Sequence, residues 1–183
     1  MKFSVVYADP PWGDGVGILE GSGEEGSFDP LILDSVMSLP VGEQVTKDAL
    51  LFLCVPTSLL PVGLAVMEAW GFRYEYLWSW VVDYESGGFR YRGQCKQLLV
   101  GVRGEVDMSI LRRHNLFDVF VDGEHQPERF RDLAEEAAFL LFGRCGKLDL
   151  FGSYWKIRFP AYEAGDWALW EEELYAGHGD GEF

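Results

Sequence analysis

The chain has 183 residues, 30 of them acidic and 15 basic, so its formal net charge is −15. This length is typical of one domain, and a hydrophobic content of 48% with 25% charged residues indicates a folded protein rather than a disordered one. No apolar stretch approaches the roughly 20 residues of a membrane-spanning helix. The net acidity excludes a protein that holds long nucleic acid over a broad surface of its own. We expect a single domain over residues 1–183.

The cysteines and the N-terminus bear on the cellular compartment. Cys54, Cys95 and Cys145 are odd in number and far apart, which favours reduced thiols over a disulfide framework. The first residues, MKFSVVYADPPW, lack the basic segment and long apolar core of a signal peptide. Both features predict a cytoplasmic protein that does not enter a membrane.

Strand patterns alternate with helix patterns along the chain. The predicted strands are Phe3–Ala8, Ala49–Val55, Phe72–Val82, Gln97–Val102, Leu116–Val121 and Lys147–Phe151. The predicted helices are Pro30–Met37, a segment from a Thr57 or Ser58 cap to Trp70 with Gly71 as its stop, and a segment from Pro127 to Gly143. This alternation predicts an α/β domain with a mostly parallel sheet flanked by helices. In such sheets ligands bind beyond the carboxyl ends of the strands.

Two segments predict loops rather than regular structure. Residues 13–27 are rich in glycine and acid and predict a flexible loop, and residues 175–183 predict a disordered acidic tail. Gly13–Gly17 with Asp34 also matches a dinucleotide-binding fingerprint weakly. That interpretation is disfavoured because Asp34 falls in a helical stretch and not at the end of a strand.

The tetrapeptide Asp9-Pro10-Pro11-Trp12 directly follows the first predicted strand. Two prolines alone would only end a strand, and that simpler explanation requires neither Asp nor Trp. An exocyclic amine on a base is a poor nucleophile because its lone pair is delocalised into the ring. A carboxylate from Asp9 and the Pro10 carbonyl can accept its two N–H bonds and draw the lone pair out of conjugation. Trp12 offers a face on which a flipped or single-stranded base can stack.

These residues and several later segments resemble one family. Tyr7–Trp12 (YADPPW) resembles the acceptor motif of the MT-A70-like family of N6-adenine methyltransferases. Further segments are similar to other motifs of the family and follow one another in the same order. They are Gly71–Tyr74 (GFRY), Trp80, Leu99–Gly104 (LVGVRG), Glu124–Pro127 (EHQP), Leu148–Gly152 (LDLFG) and Asp166–Glu173. The resemblance covers nearly the whole chain. It implies a Rossmann-like methyltransferase fold in permuted order, with the DPPW strand before the cofactor strand.

The resemblance also implies a reaction and a set of site residues. The methyl donor is S-adenosylmethionine, the acceptor is the N6 amine of adenine in DNA or RNA, and no metal is needed. The catalytic positions are Asp9, Pro10, Pro11 and Trp12. The cofactor-binding positions are Ala8, Asp9, Gln126, Asp149, Phe151, Gly152, Ser153, Tyr154, Glu172 and Glu173. Asp149 is equally well explained as a structural carboxylate.

The chain departs from the family pattern at several polar positions. Family lysines correspond to Val82 and Gln126, a family glutamate to Cys95, a family arginine to Ser153, and the closing Gly-Asn-Glu to Glu171–Glu173. The reacting tetrapeptide is nevertheless intact. These departures predict a rearranged cofactor site, in which Glu172 or Glu173 can accept ribose hydroxyls.

The basic residues Arg90, Arg92 and Lys96 cluster in a stretch that relatives use near the acceptor, and we expect them to contact nucleic acid, with DNA favoured over RNA. The absence of a separate reading domain favours low sequence specificity or a partner, either a second copy or another subunit. Small size suggests a modification enzyme of a prokaryotic or phage-infected cell. Two alternatives stay open: an inactive subunit that presents nucleic acid to an active partner, and an enzyme that acts on a free nucleotide or small amine.

Overall fold

A computed structural model of the chain describes residues 2–10, 12, 30–82, 95–113, 120–122, 127–152 and 166–170. The strands are β1 (Phe3–Ala8), β2 (Val45–Pro56), β3 (Arg73–Val82), β4 (Cys95–Arg103), β5 (Phe120–Asp122), β6 (Lys147–Asp149) and β7 (Ala168–Leu169). The helices are α1 (Pro30–Met37), α2 (Val41–Gln44), α3 (Leu60–Ala69), α4 (Ser109–Arg113) and α5 (Pro127–Phe142), with a 3₁₀ turn at Thr57–Leu59.

The described strands form one seven-stranded sheet in the order β5-β3-β4-β2-β1-β6-β7. The strand β4 is antiparallel to both of its neighbours, β2 and β3. The pairs β1–β2, β1–β6, β3–β5 and β6–β7 are parallel. Every described strand except β4 therefore runs in the same direction. This arrangement confirms the predicted α/β class and the mostly parallel sheet.

Helices pack on both faces of the sheet, so its central strands are buried from both sides. In β1, Val5 and Tyr7 face a core closed by α4 and α5, whereas Val6 and Ala8 face a core closed by α1 and α3. The apolar run Ala49–Val55 of β2 is at most 2% exposed along its length. The near-continuous apolar character of these strands is the sequence signature of such two-sided burial.

The beginning of α3 differs from the prediction, and its end agrees with it. The chain enters α3 through a 3₁₀ turn. Neither Thr57 nor Ser58 caps the amino-terminal end of this turn or of α3 with its side chain. A proline in the first turn removes one of the unbonded N–H groups that a cap would satisfy. The helix ends as predicted at Gly71, which has a φ of 81° and donates its N–H to the Glu68 carbonyl over 2.9 Å.

Other element boundaries also shift from the predicted ones. The strand β2 begins four residues before the apolar run, because Val45 already pairs with Phe3 of β1. The strand β5 overlaps only the end of the predicted strand at 116–121, and residues 114–119 lie outside the described part of the chain. The short elements α2, α4 and β7 carry too little periodic pattern to be predicted. Among the described residues, no helix is long and apolar enough to cross a membrane.

An ion cluster fastens the amino-terminal end of β6 to α5 and to the segment before β7. Lys147 Nζ lies 2.8 Å from Glu135 Oε1 and 2.5 Å from Asp166 Oδ1, and 5.3 Å from the centre of the Trp167 ring. Burial alone would lower the pKa of Lys147, but hydrogen bonds to Asp166 and Glu135 outweigh burial and raise it. The hydrogen bond from Lys147 lowers the pKa of Asp166. The cluster is therefore held together at neutral pH.

Lys147→Met should lower the free energy of unfolding by up to about 1 kcal/mol at neutral pH, because its carboxylate partners are partly exposed. The contribution of Asp166 is present above its ordinary pKa of 3.8 and is lost as pH falls through its lowered pKa. The contribution of Lys147 is present below 10.5 and is lost as pH rises through its raised pKa. Urea unfolding in acid, neutral and alkaline buffer, with exposed Lys47→Met as the control, measures both limits. A difference between wild type and variant that does not change with pH would contradict this account.

Candidate functional site

The predicted site residues come from chain segments that meet one edge of the sheet. Because β4 is the only reversed strand among those described, the carboxyl ends of β1, β2, β3, β5, β6 and β7 share this edge with the beginning of β4. Asp9–Trp12 follows β1, and Leu150–Gly152 follows β6. Ligands of open α/β sheets bind at this edge.

Within that edge, β1 and β6 mark the point where the chain reverses its direction of travel across the sheet. From β1 the chain continues to β2 on one side, and from β6 it continues to β7 on the other. The two strands are parallel neighbours, with Tyr7 opposite Asp149, and the Leu150 N–H still donates to the Tyr7 carbonyl over 2.9 Å. The ends of β1 and β6 therefore lie side by side. Such a switch point leaves a crevice between oppositely routed connections and is the usual ligand position in this class of sheet.

Asp9 and Pro10 are buried at the end of β1. Asp9 is 6% exposed and Ala8 is fully buried. Pro10 has no N–H with which to extend the ladder to β2, so the chain must leave the sheet here. A carboxylate in such a water-poor position accepts hydrogen bonds more strongly than one in solvent. Asp9 is therefore a buried acceptor at the end of β1.

Trp12 ties the tetrapeptide to the neighbouring strand. Its indole N–H donates to the Cys54 carbonyl of β2 over 2.9 Å, and the side chain is 4% exposed. It belongs to the core on the α1 and α3 side, with Val36 and Leu39. This hydrogen bond connects the segment that follows β1 to the end of the neighbouring strand β2. Trp12 is therefore anchored to β2 close to the end of β1.

Beneath the turn, Tyr7 and Cys54 link the same two strands on the opposite face. The Tyr7 hydroxyl lies 3.1 Å from Cys54 Sγ, and the Tyr7 ring contacts Trp167 edge-on at 6.1 Å between centroids. Sequence reasoning treated Cys54 only as a reduced thiol. Its position in the last part of an apolar strand was the one available signal that it lies next to the site.

At the end of β6, Asp149 forms an ion pair with α5. Asp149 is 1% exposed, and its Oδ2 lies 3.8 Å from Nη1 of Arg131. Phe151 and Gly152 follow it and are buried. After β7, the backbone N–H of Trp170 donates to the Asp149 carbonyl over 3.2 Å. Sequence reasoning named Asp149, Phe151 and Gly152 as site residues but did not name Arg131.

A second polar group lies on the Trp12 side of the same edge. The Ser79 hydroxyl donates to Gln97 Oε1 over 2.6 Å, and Gln97 Nε2 donates to Thr57 Oγ1 over 3.2 Å. Gln97 is 8% exposed and stands opposite Val55 of β2. The sequence signal for this group was a glutamine that opens the otherwise apolar run QLLVGV. Thr57 serves this network rather than the predicted helix cap.

The remaining predicted residues have a defined position only in part. Lys96 pairs with Trp80 and Pro56 at the beginning of β4, at the same edge, and its side chain is not described. Outside the described residues lie Pro11, Arg90, Arg92, Gln126, Ser153, Tyr154, Glu172 and Glu173. In the chain these residues follow the carboxyl ends of β1, β3, β5, β6 and β7.

No protein-family model matches the chain, and no curated protein sequence matches it. Any functional assignment therefore depends on the residues and their geometry.

Trp12→Phe should loosen the turn after β1, because it removes the N–H bonded to Cys54 but keeps an aromatic ring. We expect a loss of about 1–3 kcal/mol of stability together with faster amide hydrogen exchange at Ala8 and Asp9. Trp70→Phe is the matched control, since Trp70 is equally buried and donates to the Val36 carbonyl over 2.9 Å. Trp70→Phe should cost similar stability without changing exchange at Asp9. Unchanged exchange in Trp12→Phe would show that the hydrogen bond does not hold the turn.

Proposed function

We propose that the chain is an S-adenosylmethionine-dependent methyltransferase that modifies the N6 amine of adenine in DNA or RNA. One observation carries this proposal: the Asp9–Pro10 turn lies beside the end of β6 at the switch point of a mostly parallel sheet. The amine-gripping residues and the candidate cofactor strand are thus neighbours in space although Tyr7 and Asp149 are far apart in sequence. The resemblance of the YADPPW and LDLFG segments to N6-adenine methyltransferases supports the same assignment.

The strand order supports the finer proposal of a permuted, Rossmann-like methyltransferase fold. The candidate cofactor strand β6 lies between β1 and the edge strand β7 of the described sheet, although it comes late in the chain. The candidate catalytic strand β1 comes first and continues to β2 on the opposite side. This is the arrangement that results when the catalytic half of a doubly wound sheet precedes the cofactor half.

The described residues at the end of β6 fit a nucleotide-like donor. At Gly152 an added Cβ would lie 2.5 Å from Leu169 Cδ2 and 2.7 Å from Asp149 Oδ2, so a side chain there would force one of these groups to shift. Glycine at this place in a doubly wound sheet permits close packing and close approach of a ligand to the backbone. Ala8, Asp9, Asp149 and Phe151 would border the donor in this proposal. Gln126, Ser153, Tyr154, Glu172 and Glu173 would complete its site from segments outside the described residues.

The mechanism requires the chain to orient an amine and exclude water. S-adenosylmethionine, when bound, supplies the methyl group on a sulfonium. Asp9 accepts one N–H of the acceptor amine and the Pro10 carbonyl accepts the other, which directs the nitrogen lone pair toward the donor. Burial of Asp9 keeps this acceptor dry and strong. Trp12 is 4% exposed and packs in the core, so its bond to Cys54 supports a role in holding the segment after β1, and the predicted stacking on the base would require one face of its ring to become exposed.

The nucleic acid would be guided toward this edge by Arg90, Arg92 and Lys96, and DNA is the favoured polymer. A second copy of the chain or another subunit would supply further binding surface. The free thiols of Cys54 and Cys145 are compatible with the proposed cytoplasmic location. Incubation with isotopically labelled donor and a panel of single- and double-stranded oligonucleotides, followed by nucleoside mass spectrometry, tests the proposal. Labelled N6-methyladenine is expected, and methyl transfer to no nucleoside would contradict the proposal.

Asp9→Asn should reduce methyl transfer by about 100-fold or more, because the amide oxygen is a weaker acceptor and carries no charge. Asp34→Asn changes an exposed carboxylate on α1 in the same way and should transfer methyl groups at the wild-type rate. Circular dichroism should show both variants folded. Wild-type turnover by folded Asp9→Asn would refute the role of this carboxylate.

The net charge of −15 favours a second candidate, an enzyme acting on a free nucleotide or small amine. The dependence of oligonucleotide binding on salt separates the two candidates. If Arg90, Arg92 and Lys96 contact phosphates, the logarithm of affinity should fall with the logarithm of salt concentration with a slope of about −2 to −3. A flat response would favour the small substrate. Arg90→Gln combined with Arg92→Gln should reduce the slope, whereas exposed Arg73→Gln should not.

A further inference from the structure

Arg131 of α5 forms an ion pair with Asp149 at the end of β6. Its side chain is 11% exposed, and the Asp149 carboxylate that it faces is 1% exposed. The two groups approach to 3.8 Å. A carboxylate this deeply buried is costly without a compensating cation or hydrogen bonds, so Arg131 makes its charged form tolerable at this place.

The same carboxylate shapes the turn that follows β6. An added Cβ at Gly152 would lie 2.7 Å from Asp149 Oδ2, so the backbone of the turn folds back over the side chain. The Asp149 carbonyl also accepts the Trp170 N–H after β7. The Asp149 carboxylate therefore lies close against the Leu150–Gly152 segment on one side and within ion-pair distance of Arg131 on the other.

We infer that Arg131 is a positioning residue of the donor site, which acts through Asp149 on the Leu150–Gly152 turn without touching the donor. This inference rests on the proposed function, because it takes the end of β6 as the place where a nucleotide-like donor binds. In this inference Asp149 supports the turn as a structural carboxylate, which is one of the two explanations that the sequence leaves open.

Lys147 provides the matched control on the same strand. It too is a nearly buried cation paired with carboxylates, but it lies at the amino-terminal end of β6, away from the candidate site. Lys147→Met and Arg131→Met each remove one such cation and leave a methionine of similar length. A loss of donor affinity that merely follows lost stability should appear in both variants.

The experiment is isothermal titration of the full-length chain with S-adenosylmethionine, at a temperature where thermal melts show every variant folded. We expect Arg131→Met to weaken donor binding about tenfold. Arg131→Lys should lose less affinity because it keeps the charge. The affinity of Lys147→Met should stay within about twofold of wild type. In an Asp149→Asn background, Arg131→Met should have little further effect on donor affinity, because the ion pair through which Arg131 acts is already lost.

Gly152→Ala tests the same turn without changing any charge, and Arg131→Lys replaces Arg131→Met if that variant does not fold. The Cβ that Gly152→Ala adds should displace the turn and weaken donor binding while the melting curve stays cooperative. Wild-type affinity in folded Arg131→Met or in folded Gly152→Ala would overturn the inference, as would equal weakening by Lys147→Met. Failure of the wild-type chain to bind the donor would instead overturn the proposed function, so the two failures are distinguishable.

Discussion

The parallel pairing of β1 with β6 is the contact on which the candidate site depends. It places Tyr7 opposite Asp149 and so brings together two chain segments separated by most of the sequence. Without this pairing, the Asp9–Pro10 turn would be a strand end with no neighbouring ligand edge. The pairing is stabilised by burial on both faces, since Val5 and Tyr7 pack against the α5 side and Val6 and Ala8 against the α1 and α3 side.

Around this pairing, polar contacts define the edge of an otherwise apolar sheet. The Trp12 indole bridges to the Cys54 carbonyl, and Arg131 reaches across from α5 to Asp149. Each contact connects a residue at the edge to a different element of the fold. Buried polar groups with partners restrict the arrangements that a core can adopt, and they hold the side chains at this edge in defined positions.

The two ends of β6 have different chemistry although both hold a cation and carboxylates. At the amino-terminal end, Lys147 is shared between Glu135 and Asp166, which are substantially exposed. At the carboxyl end, both members of the pair are nearly buried. Solvent screens the charges of the first cluster, so its contribution to stability is modest. The energy of the buried second pair depends strongly on its geometry. The Lys147 ion cluster and the candidate binding edge thus lie at opposite ends of β6.

The sequence by itself determined the α/β class, the buried strands, the end of α3 at Gly71 and the end of β1 before Asp9 and Pro10, because hydrophobic periodicity and the backbone chemistry of glycine and proline act locally. Only the tertiary structure decided that β4 runs antiparallel, that β6 lies beside β1, and that Arg131 and Gln97 belong to the site edge. Strand order and helix–strand ion pairs join residues far apart in the chain, and no local pattern encodes them. Thr57 illustrates the limit: its local capping preference gave way to a hydrogen bond from Gln97, which only the folded sheet brings within reach.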